Sequence, residues 1–466
     1  MIFKRKSKPL IVEGENWRAF QAKLKRDQSI TSCGEFCRTR LKLLAVLPAI
    51  VLALYGIFAG FDAANSYFRD VQSKSQPLPT PEAEPREPAA PIAKQALQDL
   101  VADSQLANIH DNRFQIRQNG QALTVHTSID VDLQRFIESK LDKKNSRYIG
   151  IVVMDPSNGR ILALVGYDKL DPSNNPCLDS SFPAASIFKI ITAAAAVEKC
   201  DLESDSELYY SGRKHTLYKS QLRESITKWT NRISFKDSFA QSVNPVFGKL
   251  GALHLGGQLL KTYAEAFGFN RTINFEIPVA PSQTEVSDEP YELAEIASGF
   301  NRKTRMSPLH GALIAATILN RGKLIEPAIV DRITDEQGRE VYRSQPVTVD
   351  QAMTPETSKV VNELMEATVR SGTARREFRR YSRDKILSRL DIGGKTGSIN
   401  NRDDDARFDW FVGYAKEKQG DQAIVISVMV AHEEYIGIRA TRYARMAIRE
   451  YFQNVFAGSA ASEPKS

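Results

Sequence analysis

The feature that most limits how this chain can fold is a run of nineteen uncharged residues at positions 43–61. A run of this length is about what an α-helix needs to cross the hydrocarbon core of a bilayer. Basic residues at positions 38, 40 and 42 directly precede the run, and Asp62 follows it. Under the positive-inside rule, residues 1–42 are a cytoplasmic tail and everything after the run is exported. We therefore expect a single-pass helix in the cytoplasmic (inner) membrane, with a cleaved signal peptide or a buried core helix as alternatives.

The basic character of the chain comes from its first residues. The formal net charge is +7, and residues 1–42 alone hold eleven Lys and Arg against four Asp and Glu. Taking these from the totals of 63 basic and 56 acidic residues leaves 52 of each sign for the exported part. A formally neutral domain without a basic stripe lacks the electrostatic footprint of a nucleic-acid-binding protein. The composition therefore argues against nucleic acid as a partner.

Composition also divides the exported part into segments. Residues 62–94 are a linker with six prolines between Pro77 and Pro91, an extended spacer that reaches about 45 Å at about 3.1 Å per residue. Residues 95–145 form a small pedestal, in which 98–106 reads as a helix, 123–129 as a strand and 130–141 as an amphipathic helix. We expect the main domain over 146–456 and a disordered tail over 457–466.

The main domain shows strands at both ends and helices between them. Residues 148–154 and 160–166 are apolar, β-rich runs joined by a turn-rich segment, which predicts a hairpin. Residues 408–415 and 422–430 form a second strand pair, and 437–455 have the apolar spacing of a closing helix. The middle, 185–320, reads as mostly helical. This arrangement predicts an α+β fold with a sheet built from both ends of the domain.

A serine and a lysine stand three residues apart at the start of a predicted buried helix. Ser186 and Lys189 share one helix face, so a hydroxyl nucleophile and an amine base can meet there. The pattern alone is weak, because Ser-x-x-Lys occurs five times in the chain. An ordered set makes it specific: Ser242-x-Asn244 follows, and then Lys395-Thr396-Gly397, the chain's single Lys-Thr-Gly.

This ordered set resembles the three motifs of penicillin-binding proteins. Further segments are similar to the same family in the same order: residues 127–134, 307–312, 372–375, 393–397 and 409–414. The resemblance implies a β-lactamase/transpeptidase-like fold, with an antiparallel sheet flanked by helices and an all-helical subdomain. A linker and a short pedestal stand where bifunctional members carry a glycosyltransferase domain, so we expect none. Ser398 stands where many relatives have Thr, and the hydroxyl is kept.

The resemblance also implies residue roles. Ser186 would attack a D-Ala-D-Ala peptide bond, and Lys189, its pKa lowered by burial and by Lys395, would be the base. Ser242 would relay a proton and Asn244 would hold Lys189 and the substrate amide. The carboxylate of the substrate would bind at Lys395, Thr396 and Ser398, with Gly397 giving room for its backbone, and the N–H groups of Ser186 and Ser398 would form the oxyanion hole. β-Lactams would trap Ser186, and no metal or cofactor is expected.

Several alternatives stay open from sequence. The same chemistry with water as acceptor gives a D,D-carboxypeptidase or endopeptidase, rapid deacylation gives a serine β-lactamase, and a binding-only role gives a β-lactam sensor. The partners we expect are peptidoglycan stem peptides, β-lactam antibiotics, the lipid bilayer and other cell-wall synthesis proteins.

Two cysteines of the exported part invite a further expectation. Cys177 and Cys200 lie on either side of the Ser186 helix in a compartment where disulfides persist. We expect a disulfide between them, with two separate buried thiols as the alternative.

Overall fold

The computed structural model describes residues 94–101, 108–118, 120–401 and 405–462, and these belong to one compact unit. The predicted cytoplasmic tail, the predicted membrane segment at 43–61 and the proline-rich linker up to residue 93 lie outside them. Within the described ranges, no helix combines the length and the apolar character needed to cross a membrane.

The described residues hold thirteen strands, and every paired strand is antiparallel to its neighbours. They are β1 (Arg113–Gln118), β2 (Gln121–Thr127), β3 (Ser146–Met154), β4 (Ile161–Asp168), β5 (Glu207–Ser211), β6 (Thr230–Ser234), β7 (Lys323–Ile325), β8 (Val330–Thr334), β9 (Glu340–Arg343), β10 (Thr348–Gln351), β11 (Leu390–Asn400), β12 (Arg407–Glu417) and β13 (Ala423–His432).

Ten α-helices accompany them in the same part of the chain. They are α1 (Lys94–Val101), α2 (Val131–Ser139), α3 (Lys189–Cys200), α4 (Phe235–Ala240), α5 (Asn244–Lys249), α6 (Gly256–Ala266), α7 (Pro290–Ser298), α8 (Pro308–Leu319), α9 (Pro355–Arg370) and α10 (Ala440–Ser462). A 3₁₀ turn, Ala185–Phe188, directly precedes α3.

The central sheet has five strands in the order β11-β12-β13-β3-β4. Both predicted strand pairs are present, and β13 pairs with β3, so the sheet joins the two ends of the domain as expected. Side chains alternate along β3: Ile149, Ile151 and Val153 face a core with α2 and α10, and Val152 and Met154 face a second core. Because both faces are apolar, helices must cover both. This confirms the predicted α+β fold with an antiparallel sheet flanked by helices.

Helix α3 lies inside the second core. Its four consecutive alanines, 193–196, have no exposed surface, which lets α6 and α9 approach its backbone closely. The region predicted as all-helical is largely so, but the β5–β6 hairpin interrupts it. The serine motif lies at the start of this buried helix, and the packing of the helix positions the motif.

The predicted pedestal shares a sheet with the main domain. A four-stranded sheet has the order β1-β2-β8-β9, in which β2 of the pedestal pairs with β8 of the main domain. Helix α2 packs against β4 and α10. A lone hairpin cannot bury the apolar face of β2, where Leu123 and Val125 point inward, so β8 completes it. At the other end, α10 continues to Ser462, past position 456 where the sequence predicted a disordered tail. The Ala-rich sequence there favours continuation of the helix.

Candidate active site

Ser186 lies in the 3₁₀ turn that leads into α3. The preceding residue, Ala185, has a positive φ of 48°, a conformation that L-residues rarely adopt. Gly299 at the end of α7 backs this turn: a Cβ added to it would lie 1.9 Å from the carbonyl oxygen of Ala185. The turn is therefore held from behind by a position that admits only glycine.

Lys189 is fully buried one turn after Ser186. Its Nζ lies 2.9 Å from Ser186 Oγ, 2.7 Å from Asn244 Oδ1 and 2.5 Å from the carbonyl oxygen of Ser298. Burial, and then the charge of Lys395, hold the pKa of Lys189 well below its usual range. The spacing that sequence identified thus brings nucleophile and amine together, with Asn244 from the second motif.

The partners of Lys189 indicate where its lone pair points. The Ser298 carbonyl oxygen and Asn244 Oδ1 are acceptors, so they take the two N–H bonds of a neutral amine. The lone pair then faces Ser186 Oγ, which can donate its proton. Asn244 is itself fixed, because its Nδ2 donates to the carbonyl oxygen of His215 at 3.0 Å. In this geometry, a neutral Lys189 would face Ser186 as a general base faces its nucleophile.

A second buried lysine stands beside the second motif. Lys395 Nζ donates to Ser242 Oγ at 3.0 Å and to the carbonyl oxygen of Thr396 at 2.9 Å. Burial lowers the pKa of Lys395 to about 7. Ser242 has a positive φ of 55°, which places its hydroxyl at the turn between α4 and α5. The structure therefore joins the second motif to the third through one hydrogen bond.

The third motif lies on β11, the edge strand of the central sheet. Gly397 packs against the nucleophile turn: a Cβ there would lie 3.2 Å from Ala185 Cβ. The core residue Trp410, on β12, donates from Nε1 to the carbonyl oxygen of Pro183 at 2.9 Å. Together these contacts fix the distance between β11 and Ser186.

Sequence reasoning missed several residues that build the site. Two aromatic rings lie beside the lysines, with Lys189 Nζ 5.6 Å from the ring centroid of Phe247 and Lys395 Nζ 5.5 Å from that of Phe239. The Ser298 carbonyl oxygen binds the base, and a backbone acceptor leaves no mark in a sequence. Side chains of Thr373 and Arg407 contact the hydroxyls of Thr396 and Ser398. The family resemblance includes Thr373 in the segment 372–375 and assigns it no role.

The expected disulfide is wrong: both cysteines are free thiols. Cys177 is buried against the central sheet, with its Sγ 3.2 Å from the carbonyl oxygen of Val165 and 3.5 Å from that of Ile151. Cys200 is the last residue of α3, and burial raises its pKa to about 11. Sequence proximity to the two ends of a helix does not bring side chains together, because a twelve-residue helix is about 18 Å long.

The described part of the chain contains no group of three or more His, Cys, Asp or Glu side chains placed to hold a metal ion. In the same part, no Asp or Glu side chain hydrogen-bonds to Ser186, Lys189, Ser242, Asn244 or Lys395.

The sequence of this chain is similar to that of known proteins. A family model described as the penicillin binding protein transpeptidase domain matches residues 149–450. Stage V sporulation protein D of Bacillus subtilis is 25% identical over 332 residues, covering 66% of this chain and 49% of the relative. Peptidoglycan D,D-transpeptidase PbpA of Mycolicibacterium smegmatis is 24% identical over 323 residues, covering 60% of this chain and 61% of the relative.

Solved structures share the fold. The imipenem acyl-enzyme complex of penicillin-binding protein A from M. tuberculosis superposes with a TM-score of 0.58 at 21% identity, covering 70% of this chain and 78% of that one. The chain spans about half the length of the first two curated relatives, 49% and 50%.

Proposed function

Because the chain belongs to the penicillin-binding protein transpeptidase family, we propose that it is a peptidoglycan D,D-transpeptidase. It forms an acyl-enzyme on Ser186 with one stem peptide and transfers the acyl group to the amine of a second. β-Lactams acylate the same serine. Relatives named as D,D-transpeptidase and solved as a β-lactam acyl-enzyme support both parts of the proposal.

The observation that carries the proposal is the contact between Lys189 Nζ and Ser186 Oγ at 2.9 Å. Serine is a poor nucleophile until a base takes its proton, and a charged lysine is no base. Burial and the neighbouring Lys395 favour the neutral amine, and its two hydrogen-bond acceptors leave the lone pair for Ser186. In this proposal, the neutral amine activates Ser186 before substrate binds.

The reaction then follows from the positions of the groups. Ser186 Oγ attacks the carbonyl carbon of the D-Ala-D-Ala peptide bond while its proton passes to Lys189 Nζ. Backbone N–H groups of Ser186 and of Ser398, on the edge strand, stabilise the oxyanion. The C–N bond breaks as Ser242 gives its proton to the leaving amine and takes one in turn from Lys395. The amine of a second stem peptide then attacks the ester, its proton passes through Ser242 to Lys395, and Lys189 returns its own proton to the released Ser186 Oγ.

In the described part of the chain, no carboxylate hydrogen-bonds to the site residues, which argues against a β-lactamase that activates water through a carboxylate. Such an enzyme needs a base that activates water against the acyl-enzyme. A D,D-carboxypeptidase would use the same residues and differ only in the acceptor. Because a relative is named as a peptidoglycan D,D-transpeptidase, we rank transpeptidation first and carboxypeptidation second.

We also propose where the enzyme acts. The uncharged run at 43–61 and the basic residues before it support a single membrane anchor with the catalytic domain outside the cytoplasm. The enzyme would then be associated with the bilayer and with other cell-wall synthesis proteins. Its ligands would be stem peptides and β-lactams.

Labelling with a fluorescent penicillin tests the acyl-enzyme. Full-length protein in mild detergent should become labelled and stay labelled for many minutes, whereas Ser186→Ala should not label. Loss of the label within seconds would indicate a β-lactamase, and a wild type that never labels would reject the family chemistry. Incubation with stem peptides, read by mass, then separates cross-linked products from trimmed ones.

A further inference from the structure

The two hydroxyls of the third motif are each held by a residue from outside that motif. Thr373 Oγ1 lies 2.5 Å from Thr396 Oγ1, and Arg407 Nε donates to Ser398 Oγ at 3.0 Å. Thr396 and Ser398 are two positions apart on β11, so their side chains leave the strand on the same side. All four side chains lie beside the strand that borders Ser186, where the proposed substrate carboxylate would bind.

The position of Arg407 follows from the register of the sheet. Arg407 lies opposite Asn400 and Asp409 lies opposite Ser398, so Arg407 and Ser398 are diagonal neighbours on one face of the β11–β12 pair. Arg407 is exposed, and among the described residues no ion pair occupies it. Its guanidinium therefore adds a positive charge next to a serine hydroxyl at the open edge of the sheet.

Thr373 contacts β11 from the segment that follows α9. The backbone N–H of Thr373 donates to the carbonyl oxygen of Ala240 at 3.0 Å. Gly372 permits this approach, because a Cβ there would lie 2.2 Å from the same oxygen. The segment is thus docked on the end of α4, two residues before Ser242, and spans the gap between the second motif and the third.

The chemistry of a carboxylate decides what these contacts do. A carboxylate only accepts hydrogen bonds, so both motif hydroxyls must donate to it. Ser398 Oγ accepts from Arg407, which leaves its own proton free for the carboxylate. Thr396 can donate to the carboxylate only when Thr373 donates to Thr396. Arg407 therefore leaves the Ser398 hydroxyl free to donate, and Thr373 does the same for Thr396 when Thr373 is the donor of their shared hydrogen bond.

We propose that Arg407 and Thr373 are positioning residues for the terminal carboxylate of the substrate, acting through Ser398 and Thr396, with Arg407 also supplying charge. The proposal rests on the proposed function and extends it to specificity. It also accounts for Ser398: serine lacks the methyl group that restricts threonine, and Arg407 supplies the orientation instead.

Substrate analogues with and without the carboxylate test the role of Arg407. Full-length wild type, Arg407→Gln and Arg407→Lys are reacted with penicillin G and with its methyl ester, and the second-order acylation constants are compared. Loss of a charge-assisted contact should slow acylation by penicillin G roughly tenfold to hundredfold in Arg407→Gln, with the ester changed less than about twofold. Arg407→Lys should recover part of the loss. Arg343→Gln, an exposed arginine on β9, is the matched control.

A double-mutant cycle tests whether Arg407 acts through Ser398. If it does, Arg407→Gln combined with Ser398→Ala should lose little more than the larger single loss. The assignment of Arg407 would be overturned if the two losses in acylation rate multiplied fully in the double variant. An equal loss with penicillin G and with its methyl ester would also overturn it. The cycle gives this answer even where the ester reacts too slowly to follow.

Thr373 is tested by removing its hydroxyl at constant shape. Thr373→Val should lose roughly two- to tenfold in acylation by penicillin G, as for a neutral hydrogen bond, and Thr373→Ser should restore it. A Thr373→Val variant as fast as wild type rejects that half of the proposal. A wild type that penicillin G does not acylate rejects the proposed function itself, whereas an acylated wild type with unaffected variants rejects only this inference.

Discussion

Replacing Lys395 by Met probes the energetic consequence of burying a second amine. Burial lowers the pKa of Lys395 from 10.5 to about 7. The native state therefore disfavours the charged form by about 5 kcal/mol, since one pKa unit corresponds to about 1.4 kcal/mol. The unfolded chain keeps the ordinary pKa, so it binds more protons than the native state between these two values. The free energy of unfolding must rise with pH across that window, and below it the destabilisation is fully present.

The magnitude can be worked for two convenient conditions. Between pH 7 and pH 9 the native lysine becomes neutral while the unfolded one stays charged, so wild type should gain about 2 kcal/mol from this residue. Lys189, whose pKa is lowered by burial and by Lys395, acts in the same direction. Lys395→Met removes the residue's contribution. The variant also loses the hydrogen bonds of Lys395 to Ser242 and Thr396, which changes its free energy of unfolding by the same amount at both pH values. The change of the variant–wild-type difference with pH therefore reports the titration of Lys395.

The assay is guanidinium unfolding of both proteins at the two pH values, followed by tryptophan fluorescence. Between pH 7 and pH 9, the free energy of unfolding of wild type should increase by about 2 kcal/mol relative to that of Lys395→Met. Lys359→Met, at an exposed lysine on α9, should show no such shift. A difference that stays constant between pH 7 and pH 9 would refute a pKa of about 7 for the buried Lys395. The variant should also fail to label with penicillin.

Three further changes address the rest of the site. Asn244→Ala removes an acceptor that orients Lys189, and it should fold while slowing penicillin acylation roughly tenfold or more, measured as a second-order rate constant. Gly299→Ala should lower the thermal midpoint and the labelling rate together, because its Cβ would collide with Ala185; unchanged values for both would contradict the packing described. Trp410→Phe should reduce the free energy of unfolding by about 1 kcal/mol through its lost hydrogen bond, and a loss below the error of the measurement would show that contact to be unimportant.

The two buried lysines explain why this site needs a large scaffold. Burial disfavours the cationic form of each lysine, so α3 and the central sheet must hold them there. The same burial gives Lys189 the neutral form that a base requires. Reactivity and reduced stability thus have one physical origin at this site.

The sequence alone predicted the strand pairs of the central sheet, the buried helix α3 and the candidate reactive groups. Alternating apolar residues predicted the strand pairs, and the buried alanine run predicted α3, because these patterns reflect local periodicity. Three motifs in fixed order identified Ser186, Lys189, Ser242, Asn244 and Lys395, since each motif is contiguous in the chain.

Only the tertiary structure decided how those groups are completed. The Ser298 carbonyl oxygen that orients Lys189 comes from a residue 109 positions away, and a backbone acceptor carries no sequence signal. Strand register placed Arg407 beside Ser398, and the packing of Gly372 on Ala240 placed Thr373 beside Thr396. The same distinction explains the failed disulfide, because Cys177 packs against the central sheet whereas Cys200 ends α3. Contacts between distant segments depend on how elements pack, and a linear pattern does not encode that distance.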